Sequence, residues 1–300
     1  MKNKSNVAAP FLVLIVMALS IGLGYIDTSV LGEGETIFLS VALLQLLALF
    51  IPTLLYCRIR GISMGELRLR APRVRNIPFL ISSVFVIILG GMLISFVMSY
   101  FGVPIGSSVS YSDYVPGGLA SRAIFIAAAF AVVPAFTEEL LCRSLLMREY
   151  ENMGVLPSVF MSALLFALLH FNAASFPVYF FSGMVLGFVS FVTRSVFSAM
   201  AVHLLNNVYV LFFQEYASAV VKVPQNLVFA LFFIVALFLL ALFLMLMQAE
   251  NIVYRHGVLD LDSDAAFVRK EKESRLSDAL LSPTFILAVT AWVLIIFVNY

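Results

Sequence analysis

Residues 123–143 read Ala-Ile-Phe-Ile-Ala-Ala-Ala-Phe-Ala-Val-Val-Pro-Ala-Phe-Thr-Glu-Glu-Leu-Leu-Cys-Arg, with two adjacent acids, Glu138 and Glu139, inside an otherwise apolar run. A carboxylate in hydrocarbon costs roughly 2.5 kcal/mol or more on insertion scales, so such a residue is a candidate for function. Arg143 lies four positions after Glu139 and therefore on the same helix face. The stretch predicts a membrane helix that carries a functional site.

Composition extends this interpretation to the whole chain. Of the 300 residues 62% are hydrophobic and only 12% are charged, and the mean hydropathy is +1.06. Soluble domains carry about 25% charged residues, so the difference predicts a polytopic membrane protein. The net charge of +1 argues against a nucleic acid partner. The two cysteines, Cys57 and Cys142, support neither a disulfide framework nor a cysteine-based metal site.

Nine stretches are apolar for long enough to cross a hydrocarbon core about 30 Å thick. Their continuous hydrophobicity argues against a barrel, whose strands alternate. We predict an all-α, polytopic transmembrane bundle of eight or nine helices with a membrane-embedded active-site cavity, forming one domain over residues 1–300. The stretches are 9–26, 37–57, 77–101, 122–147, 155–171, 177–193, 196–213, 226–248 and 283–300.

The placement of Lys and Arg predicts a multi-pass protein of the cell membrane with a cytoplasmic N-terminus. Basic residues concentrate in 58–76 and 249–282, and nine crossings place both segments inside. Lys2 and Lys4 precede an apolar run without a convincing cleavage site, which predicts an uncleaved first span. The polar stretch 249–282 is interpreted as a cytoplasmic connector and 283–300 as an extra C-terminal transmembrane helix. No oligomeric state is predicted.

Two of the three histidines also lie inside apolar stretches. His170 ends the sequence Phe166-Ala-Leu-Leu-His170, and His203 begins His203-Leu-Leu-Asn-Asn207. A spacing of four places each pair on one helix face. Helical rise puts His170 about 20 Å from the inner end of its helix, deeper than Glu138 at about 15 Å and His203 at about 10 Å.

These side chains suit hydrolysis of an amide by an activated water. Two neighbouring carboxylates in a low-dielectric pocket cannot both ionise easily, so one of them becomes a usable general base. Histidine can align a water, ligate a metal or donate to a developing oxyanion, and an asparagine amide can assist the last task.

Three motifs on successive predicted helices resemble those of one family, the CPBP or Abi family of CAAX-protease and bacteriocin-processing intramembrane endopeptidases. The motifs are Glu138-Glu139-x-x-x-Arg143, Phe166-x-x-x-His170 and His203-x-x-x-Asn207. The resemblance covers about 120–213, which would be the catalytic core, and it implies a site that opens towards the cytoplasm.

The resemblance also implies a role for each motif residue. The water would be activated by Glu138 and His170, the oxyanion hole would be formed by His203 and Asn207, and the site would be braced by Glu139 with Arg143. Phe166 is interpreted as wall packing.

The use of a metal is left open by the sequence. Glu138, His170 and His203 could supply the three protein ligands of a catalytic zinc, which would make the chain a metalloprotease. They lie on three separate helices, however, and the His-Glu-x-x-His helix of the usual zinc proteases is absent. The metal-free water mechanism is preferred, with no cofactor assigned.

The sequence therefore predicts a type II CAAX-like intramembrane endopeptidase. Its partners would be the lipid bilayer and a membrane-anchored or hydrophobic peptide, cleaved near a CAAX-like C-terminus or in a bacteriocin-like leader. Two other interpretations stay open. One is a non-catalytic membrane immunity or scaffold protein, in which Glu139 and Arg143 form a structural ion pair. The other is a proton-coupled transporter, in which the acids and histidines form a relay.

Overall fold

In the part of the chain that the structure describes, eleven α-helices make up the bundle and no strand occurs. The structure is a computed structural model and describes residues 4–26, 35–103, 120–221, 227–259 and 275–299. The helices are α1 (Lys4–Gly24), α2 (Thr36–Arg60), α3 (Ile77–Tyr100), α4 (120–149), α5 (Val155–Leu168), α6 (Phe176–Thr193), α7 (Val196–Phe212), α8 (Gln214–Val221), α9 (Leu227–Leu259), α10 (Leu276–Leu280) and α11 (Pro283–Asn299). The predicted all-α bundle is confirmed.

Six of these helices, namely α1, α2, α3, α4, α6 and α9, are long and apolar enough to cross a membrane. The chain is therefore a multi-pass integral membrane protein. Three further apolar helices, α5, α7 and α11, are shorter. At 1.5 Å per residue, the 14 residues of α5 extend about 21 Å, less than a bilayer core. The number of crossings, eight or nine, and the cytoplasmic N-terminus stay predictions.

The polar stretch predicted at 249–282 as a cytoplasmic connector begins as helix. Helix α9 continues through Leu259, so the first eleven residues of that stretch are helical, and its cytoplasmic location stays a prediction. Residues 260–274 of the stretch lie outside the described part of the chain. The short helix α10 then leads into α11, which packs against α1.

Helix α4 is continuous, but its backbone is π-helical at Ala128–Val132 and at Leu140–Leu146. The first segment precedes Pro134, which has no N–H to donate and cannot continue a regular helix ladder. The second begins directly after Glu139 and includes Arg143. Such widened turns often occur at functional sites because they redirect side chains.

Loop 61–73 packs against the later part of α4 and the start of α7. It is anchored to α4 where Ser144 Oγ donates to the carbonyl of Leu67 (3.0 Å). It is anchored to the start of α7 where the Val196 N–H donates to the carbonyl of Arg68 (3.1 Å). An ion pair between Arg148 and Glu66 adds a third contact. The backbone N–H of Ser63, followed by Arg148, lowers the pKa of Glu66 to about 2.

Helices α5 and α6 approach each other closely at two glycines spaced by four, Gly183 and Gly187. A Cβ added at Gly183 would lie 2.9 Å from the Cα of Ala163, and one at Gly187 would lie 2.8 Å from Cγ1 of Val159. Small residues at this spacing let membrane helices pack backbone to backbone. The contact fixes α6 beside the site, since the Gly183 carbonyl accepts a hydrogen bond from Arg143 (3.2 Å).

Replacing Gly183 with valine should lower the stability of the bundle by about 1–3 kcal/mol, because the new side chain would push against the backbone of α5. The melting temperature of the detergent-solubilised protein measures this loss. Gly22→Val on α1 is the matched control, since nothing lies within 4 Å of its added Cβ. Equal melting temperatures for the two variants would contradict the close packing.

Candidate active site

The two adjacent glutamates of α4 lie in different surroundings. The side chain of Glu139 is fully buried, whereas that of Glu138 is 20% exposed. Neighbouring residues on a helix point about 100° apart. Glu139 accordingly faces the interior of the bundle, and Glu138 faces the rings of His170 and His203.

Glu139, Arg143 and His203 form a buried triad around one ion pair. Oε1 of Glu139 lies 3.0 Å from a guanidinium nitrogen of Arg143 and 2.9 Å from Nδ1 of His203. Arg143 also donates to the Gly183 carbonyl, and its guanidinium lies 4.4 Å from the centre of the Phe166 ring. The positive charge is thus held by a carboxylate, a carbonyl and an aromatic face, which compensate for its loss of water.

His170 lies in the turn that follows α5, whereas the sequence predicted a helix through residue 171. Helix α5 ends at Leu168, and Phe171 has a positive φ of 48°. The His170 ring reaches back along the helix, because its Nδ1 lies 2.8 Å from the carbonyl oxygen of Phe166. The expected difference in depth from Glu138 is therefore wrong: Nε2 of His170 lies 3.8 Å from Oε2 of Glu138.

The hydrogen bonds of the two rings decide which ring nitrogen carries the proton. A carbonyl oxygen and a carboxylate can only accept, so Nδ1 carries the proton in both His170 and His203. In the neutral rings, each Nε2 then presents a lone pair. These two atoms lie 3.8 Å and 4.0 Å from Oε2 of Glu138, which is buried and has no hydrogen-bond partner. Three acceptors that converge in this way call for a donor between them, which a water can supply.

Asn207 is the one predicted site residue that the structure does not join to the others. It lies one turn beyond His203 on α7 and is half-buried. Its amide makes no hydrogen bond within the described ranges.

Two aromatic residues take a larger part in the site than the sequence indicated. Phe166 was interpreted as wall packing, but it contacts the charge of Arg143 and lies 4.6 Å from the His170 ring between centroids. Tyr179 of α6 was not predicted at all. Its ring stacks on His170 with centroids 3.9 Å apart, so His170 contacts two aromatic rings. The only available signal for Tyr179 was a polar tip in an apolar helix.

Glu138, His170 and His203 are the residues that would hold a metal ion. Both histidines direct an unprotonated Nε2 at the carboxylate, and each donates its Nδ1–H to an oxygen, as metal-binding histidines do. The separations of 3.8 Å and 4.0 Å exceed the roughly 3.3 Å between neighbouring ligands of a tetrahedral zinc with bonds of about 2.0–2.1 Å. No group of three His, Cys, Asp or Glu residues able to hold a metal ion is found among the described residues. As they are spaced in this structure, the three residues do not fit a zinc ion.

Fold and site together define a helical integral membrane protein with two carboxylates, two imidazoles and a guanidinium gathered in its interior. Residues 120–209 match the family model described as type II CAAX prenyl endopeptidase Rce1-like. This match confirms the resemblance predicted from the motifs and supports an intramembrane endopeptidase of the CAAX protease type in general. The comparisons with curated proteins and with solved structures each found no significant match.

Proposed function

We propose that the chain hydrolyses a peptide bond of a membrane-associated peptide by means of a water held between Glu138 and the two histidines. One observation carries this proposal. The partnerless Oε2 of Glu138 faces two unprotonated ring nitrogens at distances that suit a single bridging water.

The hydrolytic step begins when Glu138 takes one proton from this water. His170 orients the water through Nε2. The water oxygen bonds to the carbonyl carbon of the peptide, and one electron pair of the C=O double bond moves onto the carbonyl oxygen. The electron pair on the oxyanion then re-forms the C=O bond as the C–N bond breaks, and the proton held by Glu138 passes to the departing amine. The products are a carboxylic acid and an amine, so the step needs no other reactant.

Asn207 supplies a donor to the oxyanion, because its amide lies one turn beyond His203 on α7 and can give an N–H to the oxygen. The neutral His203 ring donates its Nδ1–H to Glu139, 2.9 Å away, so its Nε2 helps to hold the water and has no proton for the oxyanion. Arg143 in turn holds Glu139 in place.

The substrate is a peptide anchored in or on the membrane and cut near its C-terminus on the cytoplasmic side. A CAAX-like C-terminus has this character, and a bacteriocin-like leader is the alternative substrate. The bilayer delivers such a peptide to a site buried among helices, where bulk water does not compete for the donors.

Purified protein in liposomes should cleave at least one member of a set of membrane-anchored peptides that differ in their C-terminal residues. Mass spectrometry of the products identifies the new termini, and protein-free liposomes are the control. The same liposomes, loaded with a pH-sensitive dye, report proton uptake. Proton-coupled uptake of a solute without any peptide cleavage would refute the endopeptidase and favour the transporter.

A further inference from the structure

A polar cavity of about 150 Å³ lies away from the glutamate site, where the start of α3 meets the last turns of α9. It is lined by two cations, three carboxamides and one aliphatic residue: Arg75, Arg255, Asn76, Gln248, Asn251 and Ile252. In the sequence, both arginines only mark segments that are predicted to lie on the cytoplasmic side. Their convergence on one cavity indicates a binding site for a ligand.

The charge of the cavity selects an anion. Neither Arg75 nor Arg255 forms an ion pair within the described part of the chain, and no acid is among the lining residues. Arg60, Arg68 and Arg148, by contrast, are each paired with a glutamate. Guanidinium groups bind phosphate oxygens in a bidentate manner, and carboxamide N–H groups add neutral donors. A phosphate group satisfies this lining.

The position of the cavity favours a phosphate that belongs to a lipid. On α9, Arg255, Asn251, Met247 and Phe243 follow one another at a spacing of four and therefore share one face. The first two line the cavity, whereas Met247 and Phe243 are 43% and 63% exposed. A cation, an amide and then exposed apolar side chains match the order of headgroup and acyl chain along a lipid.

Helix α3 shows the same order next to Arg75. Exposed apolar residues begin at Ile77, directly after the cavity, and continue at Ile81 and Phe85. The cavity is also smaller than the roughly 300–1,000 Å³ of a small-molecule site, so it suits a headgroup whose chains stay outside. Basic pockets between membrane helices on the cytoplasmic side are known to take anionic headgroups.

We propose that Arg75 and Arg255 bind the phosphate of an anionic phospholipid in the cavity between α3 and α9. The site is separate from the hydrolytic residues and does not depend on the proposed function.

Native mass spectrometry of the detergent-solubilised protein, titrated with dioctanoyl phosphatidylglycerol, tests this proposal. The parent should bind one lipid saturably. Arg75→Gln/Arg255→Gln should bind it at least about tenfold more weakly, since two charge-assisted contacts are lost. Arg75→Lys/Arg255→Lys keeps both charges and should retain most of the binding. Dioctanoyl phosphatidylcholine, which has a phosphate but no net charge, should bind more weakly than phosphatidylglycerol.

The matched control is Arg58→Gln/Arg70→Gln, which removes the same charge from two exposed positions of the basic segment 58–76 outside the cavity. This variant should bind the lipid about as well as the parent. An equal loss in both double variants would refute the site in favour of diffuse attraction by the basic surface. Displacement of the lipid by an equal concentration of inorganic phosphate would refute the lipid in favour of a soluble anion. Arg75 and Arg255 are exposed, so all variants should have the melting temperature of the parent.

Discussion

Glu138→Gln should cleave a membrane-anchored peptide at least about 100-fold more slowly than the parent protein, because loss of a general base lowers rates by about 10²–10⁴-fold. Glutamine keeps the size and shape of the side chain but cannot take a proton from water. The side chain is partly exposed and its Oε2 makes no hydrogen bond, so the variant should fold as the parent does. Product formation by proteoliposomes, followed by mass spectrometry, measures the effect.

Glu250→Gln provides the control, since it makes the same chemical change at an exposed position of α9. It should cleave at the parental rate. A folded Glu138→Gln variant that cleaves as fast as the parent would show that another group activates the water. Glu139 is poorly placed to replace Glu138 as the base, because it is buried and already contacts Arg143 and His203.

The fold and the pairs within each helix could be predicted because they depend on local periodicity. Continuous apolar stretches predicted the bundle, and a spacing of four predicted that Glu139 would face Arg143 and that Phe166 would face His170. The structure places both pairs in contact. Five of the six predicted site residues also meet in space, which the motifs could suggest only through a family resemblance.

The distances between helices could not be predicted, because they depend on packing that no single helix encodes. The depth assigned to His170 assumed a straight helix through residue 171, whereas α5 ends at Leu168 and the ring folds back. The stacking of Tyr179 depends on how closely α6 approaches, and Gly183 and Gly187 set that approach. The protonated nitrogen of His203 is set by the contact with Glu139 on another helix, which the sequence does not encode locally.

Arg143→Met should lower the free energy of unfolding by about 3–5 kcal/mol, since removal of one partner from a buried ion pair leaves the other charge uncompensated. Arg143 is 1% exposed and Glu139 is fully buried, so water cannot replace the lost contact. The double variant Glu139→Gln/Arg143→Met removes both charges and should regain most of the stability. Unfolding of the detergent-solubilised proteins by denaturant measures both changes, and a double variant no more stable than Arg143→Met would contradict the pairing.

The same double variant separates the structural role of the triad from its role in catalysis. Glutamine at position 139 can still accept the Nδ1–H of His203, but a neutral acceptor holds the ring less firmly than a carboxylate does. The variant should therefore regain stability while its cleavage rate stays up to about 10²-fold below that of the parent, the loss expected when a group that positions the water is misplaced. A double variant with parental stability and parental activity would limit Glu139 and Arg143 to packing. Recovery of stability alone would mean that the buried carboxylate acts on the reaction through His203.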